Sequence, residues 1–91
     1  PYNIVISNAT DAGQGTTTAG GTTTFTPTGT SVIKVATLQA ALNSANVTIT
    51  TGGFGSAGAE AGDITVASAI AWSSANSLTL SAYRNITINA A

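Results

Sequence analysis

Glu60 and Asp63 are the only two carboxylates close together in this 91-residue sequence, and hydrolysis by paired acids would need at least such a couple. Their settings point elsewhere. Glu60 lies in a glycine-rich stretch, where a charge keeps a loop soluble, and Asp63 heads a strand-like phrase, where a carboxylate fixes a corner. Hydroxyls abound, but the chain has no His and no Cys, so only Lys34 could activate a Ser or Thr, and no motif surrounds it. Asp11 and Asp63 stand too far apart to form the converging carboxylates of a calcium solenoid, so no metal and no cofactor is expected. Trp72 and Tyr83 are of the type that stacks on sugar rings. Trp72 falls in phase with apolar neighbours and reads as core, whereas Tyr83, beside Arg84, reads as an exposed contact. Asn8-Ala-Thr10, Asn46-Val-Thr48 and Asn85-Ile-Thr87 match the glycosylation triplet, but the last two coincide with a repeated strand phrase that explains them structurally.

Four copies of that phrase position these residues: Asn46-Val-Thr-Ile49, Asp63-Ile-Thr-Val66, Ser77-Leu-Thr-Leu80 and Asn85-Ile-Thr-Ile88. Each puts a small polar residue before apolar, Thr, apolar, the alternation of a short strand with one buried face. Asp63 and Asn85 are 22 residues apart, with strand-like segments at 69–73 and 77–81 between them. Three short strands in such a period suit one coil of a β-solenoid, which returns one strand spacing, about 4.8 Å, above its start. In this register Val47, Ile49, Ile64, Val66, Ile70, Trp72, Leu78 and Leu80 point inward, and Ile86 and Ile88 stack over Ile64 and Val66. Asn46, Asp63, Ser77 and Asn85 take the corners, their side chains bonding local backbone.

The rest of the chain is less regular. Residues 2–7 read as a short strand and residues 8–21 as a loop; Pro27 limits the Thr-rich segment 22–30 to an edge or turn. Residues 31–35 form a brief strand, and Leu38, Ala41 and Leu42 mark one apolar side of a short helix near residues 37–44, with Thr37 as its cap. Five glycines make residues 52–62 a loop. The division is an extended Thr/Gly-rich segment, 1–30, followed by coils, 31–91.

Composition narrows the setting. Seventeen alanines inflate an apolar share of 43%, and the five charged residues fall far below the roughly 25% of soluble domains. So few cations argue against nucleic acid, which demands a basic patch, and no run nears the roughly 18 apolar residues of a membrane helix. Without cysteine, stability must come from a backbone ladder. The start at Pro1 suggests a processed chain or an excised piece.

Val35-Ala-Thr-Leu-Gln-Ala-Ala-Leu-Asn43, Asn46-Val-Thr-Ile-Thr-Thr51, Ala61-Gly-Asp-Ile-Thr-Val66 and the run from Ile70 to Ala90, in this order, resemble the filamentous-haemagglutinin-like exoproteins of bacterial two-partner secretion. The resemblance covers residues 31–91. It implies an all-β, right-handed parallel β-helix, secreted to the surface of a Gram-negative cell as one stretch of a longer adhesin, cytolysin or toxin carrier. The expectation is a non-catalytic structural and adhesive segment with a host-cell or carbohydrate receptor. Its open ends would be covered by a longer chain or by self-association into a fibre. Ice binding through Thr-rich faces is the alternative, and a carbohydrate-active hydrolase using Glu60 and Asp63 a more distant one.

Overall fold

The computed structural model describes residues 1–89, in which seven strands and one helix follow one another. They are β1 (Ile4–Ser7), β2 (Ala12–Ala19), β3 (Thr22–Lys34), α1 (Val35–Ser44), β4 (Asn46–Thr50), β5 (Ile64–Val66), β6 (Leu78–Ser81) and β7 (Ile86–Ile88). Thirteen residues make β3 long enough to serve two stacks of parallel strands. Its first half pairs with β4, which pairs with β6; its second half pairs with β1, then β5, then β7. The result is an all-β, largely parallel sheet nearly closed into a barrel, with one helix. Pro27 sits between the two paired halves of β3, where its missing N–H interrupts neither stack.

Alternation decides what faces inward. Ile4, Ile6, Ile33, Val47, Ile49, Ile64 and Val66 from the strands meet Leu38 and Leu42 from α1, all of them buried. Removing one such side chain from water contributes about 1.5–3 kcal/mol, so this narrow aliphatic column supplies most of the cohesion. The 22-residue offset appears as expected: Ile64 pairs with Ile86, Thr65 with Thr87 and Val66 with Ile88.

Several expectations are corrected. Residues 1–30 are not a separate extended segment, because β1 lies inside the parallel stack between β3 and β5. Its Ile-Val-Ile sequence carries two inward isoleucines, and burying both outweighs closing a long loop to β5. The expected loop 8–21 contains β2, antiparallel to β3. Gly20 and Gly21 have φ of +59° and +78°, the left-handed pair that a two-residue hairpin turn requires. Gly13, at φ +68°, lets β2 pass the β3 backbone so closely that a Cβ there would lie 2.3 Å from the Thr30 carbonyl oxygen.

The strand expected over residues 69–73 is absent. The neighbouring connection, from β3 to β4, is taken by α1, whose backbone hydrogen bonds are internal, so no strand edge is offered for pairing. The segment instead fastens to the helix: Gln39 Oε1 accepts from Ala71 N–H (3.1 Å), and the Leu42 carbonyl accepts from Ser74 Oγ (2.6 Å) and Asn76 Nδ2 (2.7 Å). The cap of α1 also differs. Lys34 holds the N-cap position without a side-chain bond, and the capping oxygens come from Asp11. Its carboxylate accepts from Lys34 N–H (2.7 Å), the Thr37 hydroxyl and Gln14 Nε2 (3.1 Å). A negative charge at the amino end of a helix is also favoured by the helix dipole. Partial burial would raise the Asp11 carboxyl, but bonds from Thr37, Lys34 N–H and Gln14, with the Lys34 charge, hold it below its ordinary value.

Candidate functional site

The residues with chemical potential collect at the corner where the chain crosses from the β4–β6 stack to the β5–β7 stack. Thr51, at the end of β4, is buried; its hydroxyl donates to the Gly62 carbonyl (3.0 Å) and accepts from Tyr83 N–H (2.8 Å). That one side chain fixes both ends of the glycine-rich loop 52–62 and the turn above it. Glu60 uses both carboxylate oxygens, accepting from Asn3 N–H and the Thr30 hydroxyl, each at 2.9 Å. Asp63 receives a two-pronged bond from Arg84, Nε to Oδ1 at 3.0 Å and Nη2 to Oδ2 at 2.7 Å. The Asp63 carboxyl is thereby held below its ordinary range, chiefly by the Arg84 bond, which outweighs its partial desolvation; the Asn85 N–H and the Arg84 charge add to the effect.

A general acid needs a carboxyl of raised pKa reachable by substrate. Here both carboxylates are engaged as acceptors, and Asp63 is shifted the other way. The corner is arranged for fastening. Among the described residues no three Asp, Glu, His or Cys side chains converge in a metal-binding group.

One device repeats along both stacks. Asn3 Oδ1 accepts from Asp63 N–H (2.9 Å) while Ile4 N–H donates to the Asp63 carbonyl (2.9 Å). A level higher, Asp63 Oδ1 accepts from Asn85 N–H (3.1 Å) while Ile64 N–H donates to the Asn85 carbonyl (2.9 Å). In the other stack, Asn46 Oδ1 accepts from Ser77 N–H and Val47 N–H donates to the Ser77 carbonyl, both at 2.9 Å. These corner side chains therefore bond the backbone of the next level, which corrects the expectation of local bonding. Where the phrase begins with Asn or Asp, that short side chain presents its oxygen one strand spacing away.

The expected core separates into two groups. Val47, Ile49, Ile64 and Val66 are buried, and Ile70, Leu78 and Leu80 pack partly buried against them. Trp72, Ile86 and Ile88 are not core: they remain 38%, 44% and 65% exposed. The register of Ile86 and Ile88 is as expected, but β7 is the last strand of its stack and no layer covers it. Trp72 instead donates Nε1–H to the Asn76 carbonyl (2.8 Å) and, with Ile88, lines an open apolar groove of about 210 Å³ floored by Val66, Ile70, Leu78 and Leu80.

Tyr83 is 48% exposed, and Arg84 is exposed although its guanidinium is held by Asp63. Sequence reasoning missed Phe54, which is almost fully exposed in the 52–62 loop. The available signal was an aromatic isolated among Gly52, Gly53 and Gly55, with no other large apolar side chain in the loop to pack against. The chain matches no family model, no curated protein and no solved structure.

Proposed function

We propose that this chain is a segment of a secreted, right-handed parallel β-helix at a bacterial cell surface, of the filamentous-haemagglutinin-like kind, serving as structure and as adhesive. The observation that supports it best is the stacking of the phrase in register at successive levels. Ile64-Thr-Val66 lies against Ile86-Thr-Ile88, and Val47-Thr-Ile49 against Leu78-Thr-Leu80. The adhesive contact on this reading is the exposed corner, with Tyr83 and Arg84 beside the loop that carries Phe54. A labelled chain is expected to bind host epithelial cells or immobilised glycans saturably, and combined Tyr83→Ala and Arg84→Ala substitution to lower that binding at least fivefold. Non-saturable binding, or binding indifferent to both changes, defeats the adhesive reading.

A second reading draws on a different face. Thr17, Thr24, Thr48 and Thr79 are register partners across β2, β3, β4 and β6, and Thr50 pairs with Ser81 two residues further on. Neighbouring hydroxyls in such a file repeat at about the strand spacing of 4.8 Å, a geometry able to order water on a flat surface. A thermal-hysteresis measurement decides it: no hysteresis at millimolar protein removes ice binding from consideration.

A further inference from the structure

The repeated corner bonds have a direction. In all three cases the lower residue supplies a side-chain oxygen and the next residue's N–H, and the upper residue answers with its N–H and carbonyl. The series runs from Asn3 to Asp63 to Asn85, and from Asn46 to Ser77. At the top the same elements stand unused. Among the described residues no donor reaches the Asn85 side chain or Ser77 Oγ, and β6 and β7 are the terminal strands of their stacks.

Backbone groups at that end point the same way. Because Asn85 and Asn89 bond down to β5, and residues of a parallel strand alternate, the N–H and C=O of Ile86 and Ile88 face the open edge. Ser77 and Ser81 bond down to β4, which leaves those of Leu78 and Leu80 facing the same opening. Ile88 and Trp72, both exposed, line the apolar groove, and Ile86 stands exposed on the same strand. The opposite end is different. There β2 runs antiparallel along the first half of β3, and the second half is met by Ala12 opposite Val32 and by the Asp11 carboxylate on Lys34 N–H. The last residues of β2, Thr16-Thr-Thr-Ala19, are all exposed and include no large apolar side chain.

We infer that the fold is capped at the β2 end and grows only at the β6–β7 end, which is a docking site for one further parallel coil carrying the phrase small polar–apolar–Thr–apolar. Asn85 sets its register by accepting the N–H of the coil's corner residue while Ile86 N–H donates to that residue's carbonyl. Two apolar residues of the incoming phrase cover Ile86 and Ile88, and a second pair covers Leu78 and Leu80. A head-to-tail fibre of identical copies is disfavoured, since it would lay the hydroxyls of β2 over the apolar groove. This inference deepens the β-helix reading and does not depend on adhesion.

The probe is a synthetic peptide copying residues 63–88, added to the 91-residue chain, with amide hydrogen exchange read residue by residue. The amides of Leu78, Leu80, Ile86 and Ile88 are expected to exchange fast in the chain alone and to slow at least tenfold on saturation with peptide, while β2 amides stay unchanged. Asn85→Ala retains the strand, because Asn85 N–H still bonds Asp63, but is expected to weaken peptide binding about fivefold, the effect of one net hydrogen bond. No slowing at millimolar peptide, protection at β2 instead, or unchanged affinity of the Asn85→Ala chain overturns the inference. Concentration-dependent protection of the same four amides without peptide also overturns it, by assigning the edge to a second copy. Loss of cell binding with peptide docking intact would count against adhesion alone.

Discussion

Replacing Asp11 with Ala should expose how much of this fold hangs on one side chain reaching from the residue before β2 to α1. Three bonds are removed: to Lys34 N–H, to the Thr37 hydroxyl and to Gln14 Nε2. Loss of a helix cap costs about 1 kcal/mol, with a range of roughly 0.5–2. Asp11 is partly exposed, so its charge interactions with the helix end and Lys34 are screened and add only a fraction to that. A total near 1.5 kcal/mol would lower the melting midpoint of a chain this size by roughly 6–12 °C. The assay is urea and thermal unfolding followed by circular dichroism, repeated from pH 7 to pH 2 for the parent and for Asp11→Asn.

The pH dependence carries the sign. The folded Asp11 carboxyl is held below its ordinary value, so the unfolded chain binds the proton first as pH falls. The charge-dependent part of its contribution is whole above the ordinary carboxylate range and disappears as pH drops through the lowered folded value. Parent and Asp11→Asn are therefore expected to differ by a constant amount from pH 7 to about 5 and to converge only once pH has fallen through the lowered folded value. A difference that grows on acidification refutes the capping argument. So does an Asp11→Ala variant within about 0.3 kcal/mol of the parent, well inside the expected cap loss.

Three further outcomes follow from the geometry. Gly13→Ala forces a Cβ against the Thr30 carbonyl at a positive φ, and urea denaturation should show a loss of about 2 kcal/mol or more. Thr51→Val removes the hydroxyl that joins Gly62 and Tyr83 in a buried position; the unfolding free energy should fall by about 1–3 kcal/mol, with faster exchange of the Tyr83 amide. Arg84→Ala should lower the urea midpoint only slightly, since Arg84 itself is exposed and the half-buried Asp63 still accepts from Asn85 N–H.

Alternation and the recurring phrase were legible in the amino-acid order because a strand's side chains alternate with a period of two. Ile64 and Val66 must share a face, and the 22-residue spacing sets Ile86 over Ile64. The short helix was legible too, from the spacing of Leu38, Ala41 and Leu42, although its cap was not, since Asp11 lies outside any local window. The β2–β3 hairpin had a readable signal in Gly20-Gly21 between Thr-rich runs, obscured by the expectation that glycine-rich sequence is loop. At the candidate corner, Tyr83 and Arg84 were recognisable as exposed, but the bonds that hold Glu60 and Asp63 depend on Asn3, Thr30 and Arg84 arriving from three other segments.

What the amino-acid order determined by itself is therefore the face on which each side chain stands and the repeat that lets levels stack. Tertiary structure decided which strands became neighbours: β1 joined β3 and β5 because two buried isoleucines offset the cost of long-range closure. It also decided burial. Ile64 and Ile86 occupy equivalent places in the same phrase, yet one is buried and the other half exposed, because burial is a property of the layer above and not of the residue.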